Sequence, residues 1–89
     1  MARFDSIAFL DSEIMPAGST ADALFELGLM YSAGRDVEAD FVTAHKWFNL
    51  AALRGNEEAK RYRMELSREM SKREIAEAQR QAREWLRKH

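Results

Sequence analysis

Glycine and proline divide this sequence into blocks, and that division is what most limits its possible folds. Pro16 and Gly18 lie near the start, and Gly34 and Gly55 separate the longer blocks that follow. Between residues 19 and 33 apolar side chains recur at spacings of three and four, as on one face of a helix. Gly34 is suited to end that helix, because a left-handed residue costs least as glycine. No stretch alternates convincingly between apolar and polar residues, so the pattern predicts an all-α fold.

Capping residues predict where the other helices begin. Asp40 is a suitable N-cap for a second helix. Asn56, which two glutamates follow, begins a third. Ser71 with Glu74 three residues later forms a capping box that begins a fourth. Residues 4–15 have an ambiguous pattern and are assigned to a further short helix, which makes four to five helices in all.

Composition excludes several classes of function. Cysteine is absent, which removes disulfides, thiol nucleophiles and thiolate metal sites. The 14 lysines and arginines against 15 aspartates and glutamates give a net charge of -1, unlike that of a dedicated nucleic-acid-binding protein. No stretch approaches the roughly 18 apolar residues of a membrane helix, and the start lacks the features of a signal peptide. We therefore expect a cytoplasmic protein that does not associate with membranes.

Charge is distributed unevenly along the chain. Residues 1–53 carry 3 basic and 8 acidic side chains, a balance of -5, whereas residues 54–89 carry 11 basic and 7 acidic ones, a balance of +4. Opposite ends can therefore attract each other, within one chain or between two. In the basic part, glutamates are interleaved at spacings of three or four, which is typical of solvated helices rather than of a phosphate-binding surface.

Candidates for catalysis or metal binding are few. His45 has no second ligand at a useful spacing, so a structural or surface role is expected for it. The capping box accounts for the Ser71 hydroxyl, and no histidine and acid accompany it as in a catalytic triad. We expect no enzymatic activity, no metal and no cofactor.

Residues 21–59 hold small and aromatic side chains in a specific register. They are Ala21, Ala23, Leu27, Gly28, Tyr31, Gly34, Val37, Asp40, Ala44, Trp47, Phe48, Ala51, Ala52, Gly55 and Ala59. This register resembles the Sel1-like repeat, a relative of the tetratricopeptide repeat that is built as an antiparallel helix pair. Asp36 departs from the family pattern, which often has a second loop glycine there. The tail from residue 68 onward is similar to the closing segment of bacterial Sel1-repeat proteins.

Gly28 lies inside a predicted helix, where glycine costs about 1 kcal/mol relative to alanine. A close approach of the next helix would explain it, with Ala44 or the pair Ala51 and Ala52 at the contact. The side chains that then fill the space on either side are Tyr31, Trp47 and Phe48.

Only one repeat is expected, because the positions that would hold leucine and glycine in a second copy hold Arg63 and Met64. The chain is then a single domain, residues 1–89, with an N-terminal segment (1–18), the repeat (19–59) and two C-terminal capping helices (56–70 and 71–88). Arrays of this kind ordinarily need about three repeats for stability. Flanking helices or a second copy would have to complete this one, and we weigh the two equally.

The resemblance also implies an interaction surface. In tetratricopeptide-like folds the first helix of each pair lines the inner surface, which places Asp22, Phe25, Leu29 and Ser32 there. Either residues 4–15 or the fourth helix cover Phe25 and Leu29, or these two grip a partner helix or peptide.

We expect a non-catalytic adaptor or scaffold that binds another protein or a second copy of itself. The alternatives are a nucleic-acid-associated accessory protein that uses the basic C-terminal helices, and a regulatory subunit of an enzyme.

Overall fold

A computed structural model of the protein describes residues 20–89, and these form four α-helices without a strand. The helices are α1 (Ala21–Ala33), α2 (Phe41–Leu53), α3 (Glu57–Ser67) and α4 (Lys72–Lys88). This confirms the all-α prediction. The short helix predicted at residues 4–15 lies outside the described residues.

A capping side chain precedes the first residue of each helix. The Thr20 hydroxyl caps α1 at 3.0 Å, an Asp40 carboxylate oxygen caps α2 at 3.1 Å and the Asn56 amide oxygen caps α3 at 2.8 Å. At α4, the Ser71 hydroxyl accepts from the backbone N–H of Glu74 at 3.1 Å, and the Glu74 carboxylate accepts from the Ser71 N–H at 2.8 Å. Side-chain acceptors thus satisfy backbone donors that a helix start leaves unpaired.

Left-handed residues end α1 and shape the loop that follows. Gly34 has a φ of 73°, and the N–H groups of Gly34 and Arg35 both point to the carbonyl oxygen of Met30. Asp36 also has a positive φ, 64°. The position where the sequence departs from the family's loop glycine therefore keeps a backbone conformation that glycine favours.

Helix α2 is the centre of the bundle and packs against α1, α3 and α4. Its side chains are buried on nearly every side: Ala44, His45, Trp47, Phe48, Leu50, Ala51 and Ala52. Helix α4 is held to it by an edge-on contact between Trp47 and Trp85, with ring centroids 5.8 Å apart. A helix that is buried all round needs neighbours on all sides, and the three other helices supply them.

The close approach at Gly28 involves an aromatic ring. The nearest neighbours of a β-carbon added there would be atoms of the Phe48 ring, at a separation that real β-carbons do not show. The sequence predicts an alanine at this contact, and the structure corrects this to Phe48. Ala44 and Ala51 are themselves fully buried.

None of the helices formed by residues 20–89 combines the length and apolar character that crossing a membrane requires.

Candidate protein-interaction cleft

A cleft open to solvent lies between α1 and α3, with α2 beneath it. It holds about 290 Å³. The side chains that line it are Ser32, Phe48, Tyr62, Glu65, Leu66 and Glu69. We refer to it as the α1–α3 cleft. Three of these residues belong to α3, one to the turn after it, one to α1 and one to α2, so the cleft exists only once the three helices are packed.

Three aromatic rings lie at and beneath the floor of the cleft. Tyr62 packs edge-on against Phe25, with centroids 5.2 Å apart, and lies 5.6 Å from Phe48. Phe25 and Phe48 are 5.8 Å apart. Edge-on and tilted pairs at such distances contribute about 0.5–1.5 kcal/mol each beyond the area that they bury. The floor is therefore continuous with the core, with Tyr62 half-buried at its surface.

Two exposed glutamates form one side of the cleft. Glu65 lies in the last turn of α3 and Glu69 in the turn that follows it, and their carboxylates have no hydrogen-bond or ion-pair partner among residues 20–89. The two glutamates at the start of α3 pair with Lys60 and Arg61 at 3.4 and 3.6 Å. Two like charges beside one cleft repel each other weakly. A cation placed in the cleft would remove that repulsion.

The structure separates the four residues predicted for the interaction surface. Ser32 lines the cleft, and its hydroxyl donates to the carbonyl oxygen of Leu29 at 3.1 Å. Leu29 is half-buried against the core. Asp22 is exposed and accepts a hydrogen bond from the Asn56 amide at 3.1 Å. Their role in binding stays a prediction.

Phe25, the fourth of them, is an interior residue. Only 9% of it is exposed, and its neighbours are Phe48 in α2 and Tyr62 in α3. The sequence predicts that the fourth helix or residues 4–15 could cover Phe25. Among the described residues, Tyr62 of α3 covers it. Residues 4–15 lie outside the described part.

The α3 half of the cleft is missing from the sequence prediction. The sequence pattern places Tyr62 and Leu66 on the apolar stripe of the third helix and Glu65 on its polar face. The signal that could have found them is an aromatic residue on that stripe. Recognising it would have required placing α3 beside α1, and the Asn56 hydrogen bond to Asp22 spans that junction.

A polar link joins α2 to α3. His45 is only 2% exposed, and its Nε2 lies 3.0 Å from the Ser67 hydroxyl. That hydroxyl donates to the carbonyl oxygen of Arg63 at 2.9 Å, so it accepts from Nε2–H of the histidine. Nearby, Arg63 donates to the Asn49 side chain at 2.6 Å.

His45 is held in its neutral form. Burial, and to a lesser degree the charge of Arg63, lowers the pKa of the His45 imidazole. Its Nδ1 is buried without a hydrogen-bond partner among the described residues. A protonated ring would leave a buried donor unsatisfied there. The link therefore reads as structural, in agreement with the role expected for His45.

Part of the positive charge of α4 is neutralised by glutamates of the same helix. Arg80 donates to both carboxylate oxygens of Glu77, at 3.0 and 2.7 Å. Hydrogen bonds from Arg80 and Gln81 lower the pKa of Glu77 to about 2. Arg87 donates to Glu84 at 2.8 Å and lowers the pKa of that carboxyl. Two arginines of α4 are thus each paired with a glutamate one turn away in the same helix.

Trp85 is part of the core. It is buried between Trp47 and the C-terminal His89, whose ring stacks on it with centroids 4.3 Å apart. A buried ring cannot serve as a platform for stacking bases. Within residues 20–89 no three histidine, aspartate or glutamate side chains are grouped as metal ligands.

Comparison with known families agrees with this geometry. The family model for the Sel1 repeat matches residues 21–56 and 75–88, which is more than half of the chain. The chain belongs to the Sel1 repeat family. Sel1 repeats generally mediate protein–protein interaction and are typically non-catalytic. Searches of curated proteins and of solved structures give no match.

The matched ranges leave out one of the four helices. The first range covers α1, α2 and the turn after α2, and the second lies within α4. The second range belongs to the tail that resembles the closing segment of Sel1-repeat proteins. Helix α3 lies between the two and is unmatched. The residues that make the cleft acidic, Glu65 and Glu69, therefore belong to the part of the chain that the family pattern does not specify.

Proposed function

We propose that this protein is a non-catalytic interaction module, an adaptor or scaffold, that binds another protein chain in the α1–α3 cleft. The observation that carries the proposal is an aromatic floor beside two glutamates that have no partner within residues 20–89. Its place of action would be the bacterial cytoplasm.

The shape and chemistry of the cleft support a peptide or helix as its occupant. Grooves that bind helices accept apolar anchors at spacings of three and four residues. The Tyr62 and Leu66 side chains offer the apolar contact, and the two glutamates offer orientation through charge. Ser32, on the opposite wall, is the one residue of the predicted surface that reaches this space.

A phosphate-bearing partner is disfavoured by the same charges. The cleft is acidic, and phosphates are bound by cations. On α4, Arg80 and Arg87 are paired with glutamates one turn away. A nucleic acid is therefore not the proposed occupant of the cleft.

Site-directed crosslinking can test the proposal. The chain has no cysteine, so a single Ser32→Cys substitution allows a photo-crosslinker to be attached in the cleft alone. A matched control carries it at the exposed Arg73 on α4. After illumination in a lysate of the source cell, we expect a crosslinked chain, identified by mass spectrometry, from position 32 and not from position 73.

The opposite pattern would contradict the proposal. Crosslinks from position 73 alone, or equal yields from both positions, would mean that the cleft is not the binding surface. Far-ultraviolet circular dichroism on both labelled proteins would establish that each is folded.

A further inference from the structure

Helix α4 presents an exposed stripe that carries no acid. Its members follow spacings of four and three residues, with one adjacent pair at the end: Lys72, Ala76, Gln79, Arg83, Leu86 and Arg87. We call them the α4 stripe. Arg83 forms no ion pair with the described residues, and Leu86, a large apolar side chain, is 41% exposed. The stripe thus combines positive charge with an apolar contact.

The cleft and the stripe are complementary in charge. Glu65, in the last turn of α3, and Glu69, in the turn that follows it, are four residues apart in sequence, as are Arg83 and Arg87 on α4. Each surface thus carries one pair of like charges, negative in the cleft and positive on the stripe. Leu86 lies beside the arginines, as Leu66 lies beside the glutamates. We propose that the α1–α3 cleft binds helix α4 of a second copy of this chain.

The two surfaces cannot satisfy each other within one molecule. The carboxylates of Glu65 and Glu69 and the side chains of Arg83 and Leu86 are all exposed in the same structure. Helix α4 is anchored to α2 through Trp85, and its stripe is left uncovered. Contact between stripe and cleft therefore needs a second chain.

The inference rests on the proposed function, since it names the occupant of the same cleft. Each copy has one cleft and one stripe, so pairing either closes as a two-fold dimer or continues as an open chain. The Arg87 guanidinium keeps its hydrogen bond to Glu84. Its remaining N–H groups would donate to the cleft carboxylates of the second copy. Exposed ion pairs contribute little individually, so the association should be weak and should strengthen as salt is lowered.

A charge-exchange experiment tests this with the full chain. The cleft-reversed variant carries Glu65→Arg with Glu69→Arg, and the stripe-reversed variant carries Arg83→Glu with Arg87→Glu. Sedimentation equilibrium of the wild type should show an average mass that rises with concentration and falls with added salt. Each variant alone should associate at least about tenfold more weakly, because like charges then face each other.

Mixing the two variants should restore association, since the reversed cleft then faces the reversed stripe. The matched control is Glu57→Arg with Glu58→Arg, which makes the same charge change on α3 outside the cleft and should associate as the wild type does. Circular dichroism checks the fold of each variant. If the cleft-reversed variant is unfolded, Glu65→Gln with Glu69→Gln replaces it, and weaker association is again expected.

Three results would overturn the inference. They are a wild type that stays monomeric up to millimolar concentration, a cleft variant that associates as strongly as the wild type, and a control that loses association equally. None of them decides the proposed function, because crosslinking of a foreign protein from position 32 measures that independently.

Discussion

Glutamates on the two sides of α2 have different surroundings. On one side, α4 is docked through its tryptophan, and Glu77 and Glu84 are each bonded to an arginine one turn away. On the other side, Glu65 and Glu69 lie at the edge of an aromatic cleft without a partner among the described residues. The first arrangement is complete within its own helix. The second would be completed by an external cation, and this contrast is the basis for assigning the interaction surface to the cleft.

Removing the aromatic residue at the centre of each side should have the largest effect. Phe48→Ala and Trp85→Ala each delete a buried ring, so we expect each to lower the free energy of unfolding by about 3–5 kcal/mol. This is a large share of the 5–15 kcal/mol that is typical of small proteins. Urea denaturation monitored by circular dichroism measures the loss.

Leu53→Ala is the matched control, because 63% of this leucine is exposed. It should change stability by no more than about 0.5 kcal/mol. A loss below about 1 kcal/mol for Phe48→Ala would mean that this ring does not hold the floor of the cleft together.

Acid should weaken the link between α2 and α3. Because the pKa of His45 is lowered in the folded protein, the unfolded chain takes up a proton first as the pH falls. The stability contributed by the neutral ring is complete above about pH 6.5, the usual histidine pKa. It declines as the pH falls from there through the lowered pKa of the folded state.

Urea midpoints at pH 7 and pH 5 measure this effect. His45→Gln should show a smaller difference between the two than the wild type. An equal pH dependence in His45→Gln and the wild type would contradict the role assigned to the buried imidazole.

The smallest expected change in stability compares the glutamates of the cleft with Glu77 of α4. Glu65→Gln with Glu69→Gln removes a weak repulsion between exposed like charges and should raise stability by at most about 0.5 kcal/mol. Glu77→Gln removes hydrogen bonds from Arg80 and should lower stability slightly. Thermal unfolding of the two variants beside the wild type gives the signs. Midpoint shifts of the same sign in both would remove the contrast between the two sides of α2.

Features that depend on residues close in sequence are the ones that the sequence predicts well. The caps at Asp40, Asn56 and Ser71 act on N–H groups three residues away, so the starts of α2, α3 and α4 are predictable without knowledge of packing. The resemblance to the Sel1 repeat adds the pairing of α1 with α2.

Features that depend on how helices meet are predicted only in part. A close approach at Gly28 follows from the cost of a helical glycine, but the identity of its neighbour, Phe48 rather than an alanine, depends on the rotation of α2 about its axis. The prediction for the cleft likewise includes Ser32 and omits Tyr62. Whether α3 lies beside α1 is decided by the turn at Gly55, whose φ is 107°, and by contacts distant in sequence.

The most direct test of the cleft as the binding surface is an amide NMR spectrum of the isotope-labelled chain, recorded in buffer and then in a lysate of the source cell. We predict that the resonances of Ser32, Tyr62, Glu65 and Glu69 shift or broaden selectively in the lysate. Unchanged resonances at these residues, with changes confined to the turns at residues 34–40 and 54–56, would contradict the account.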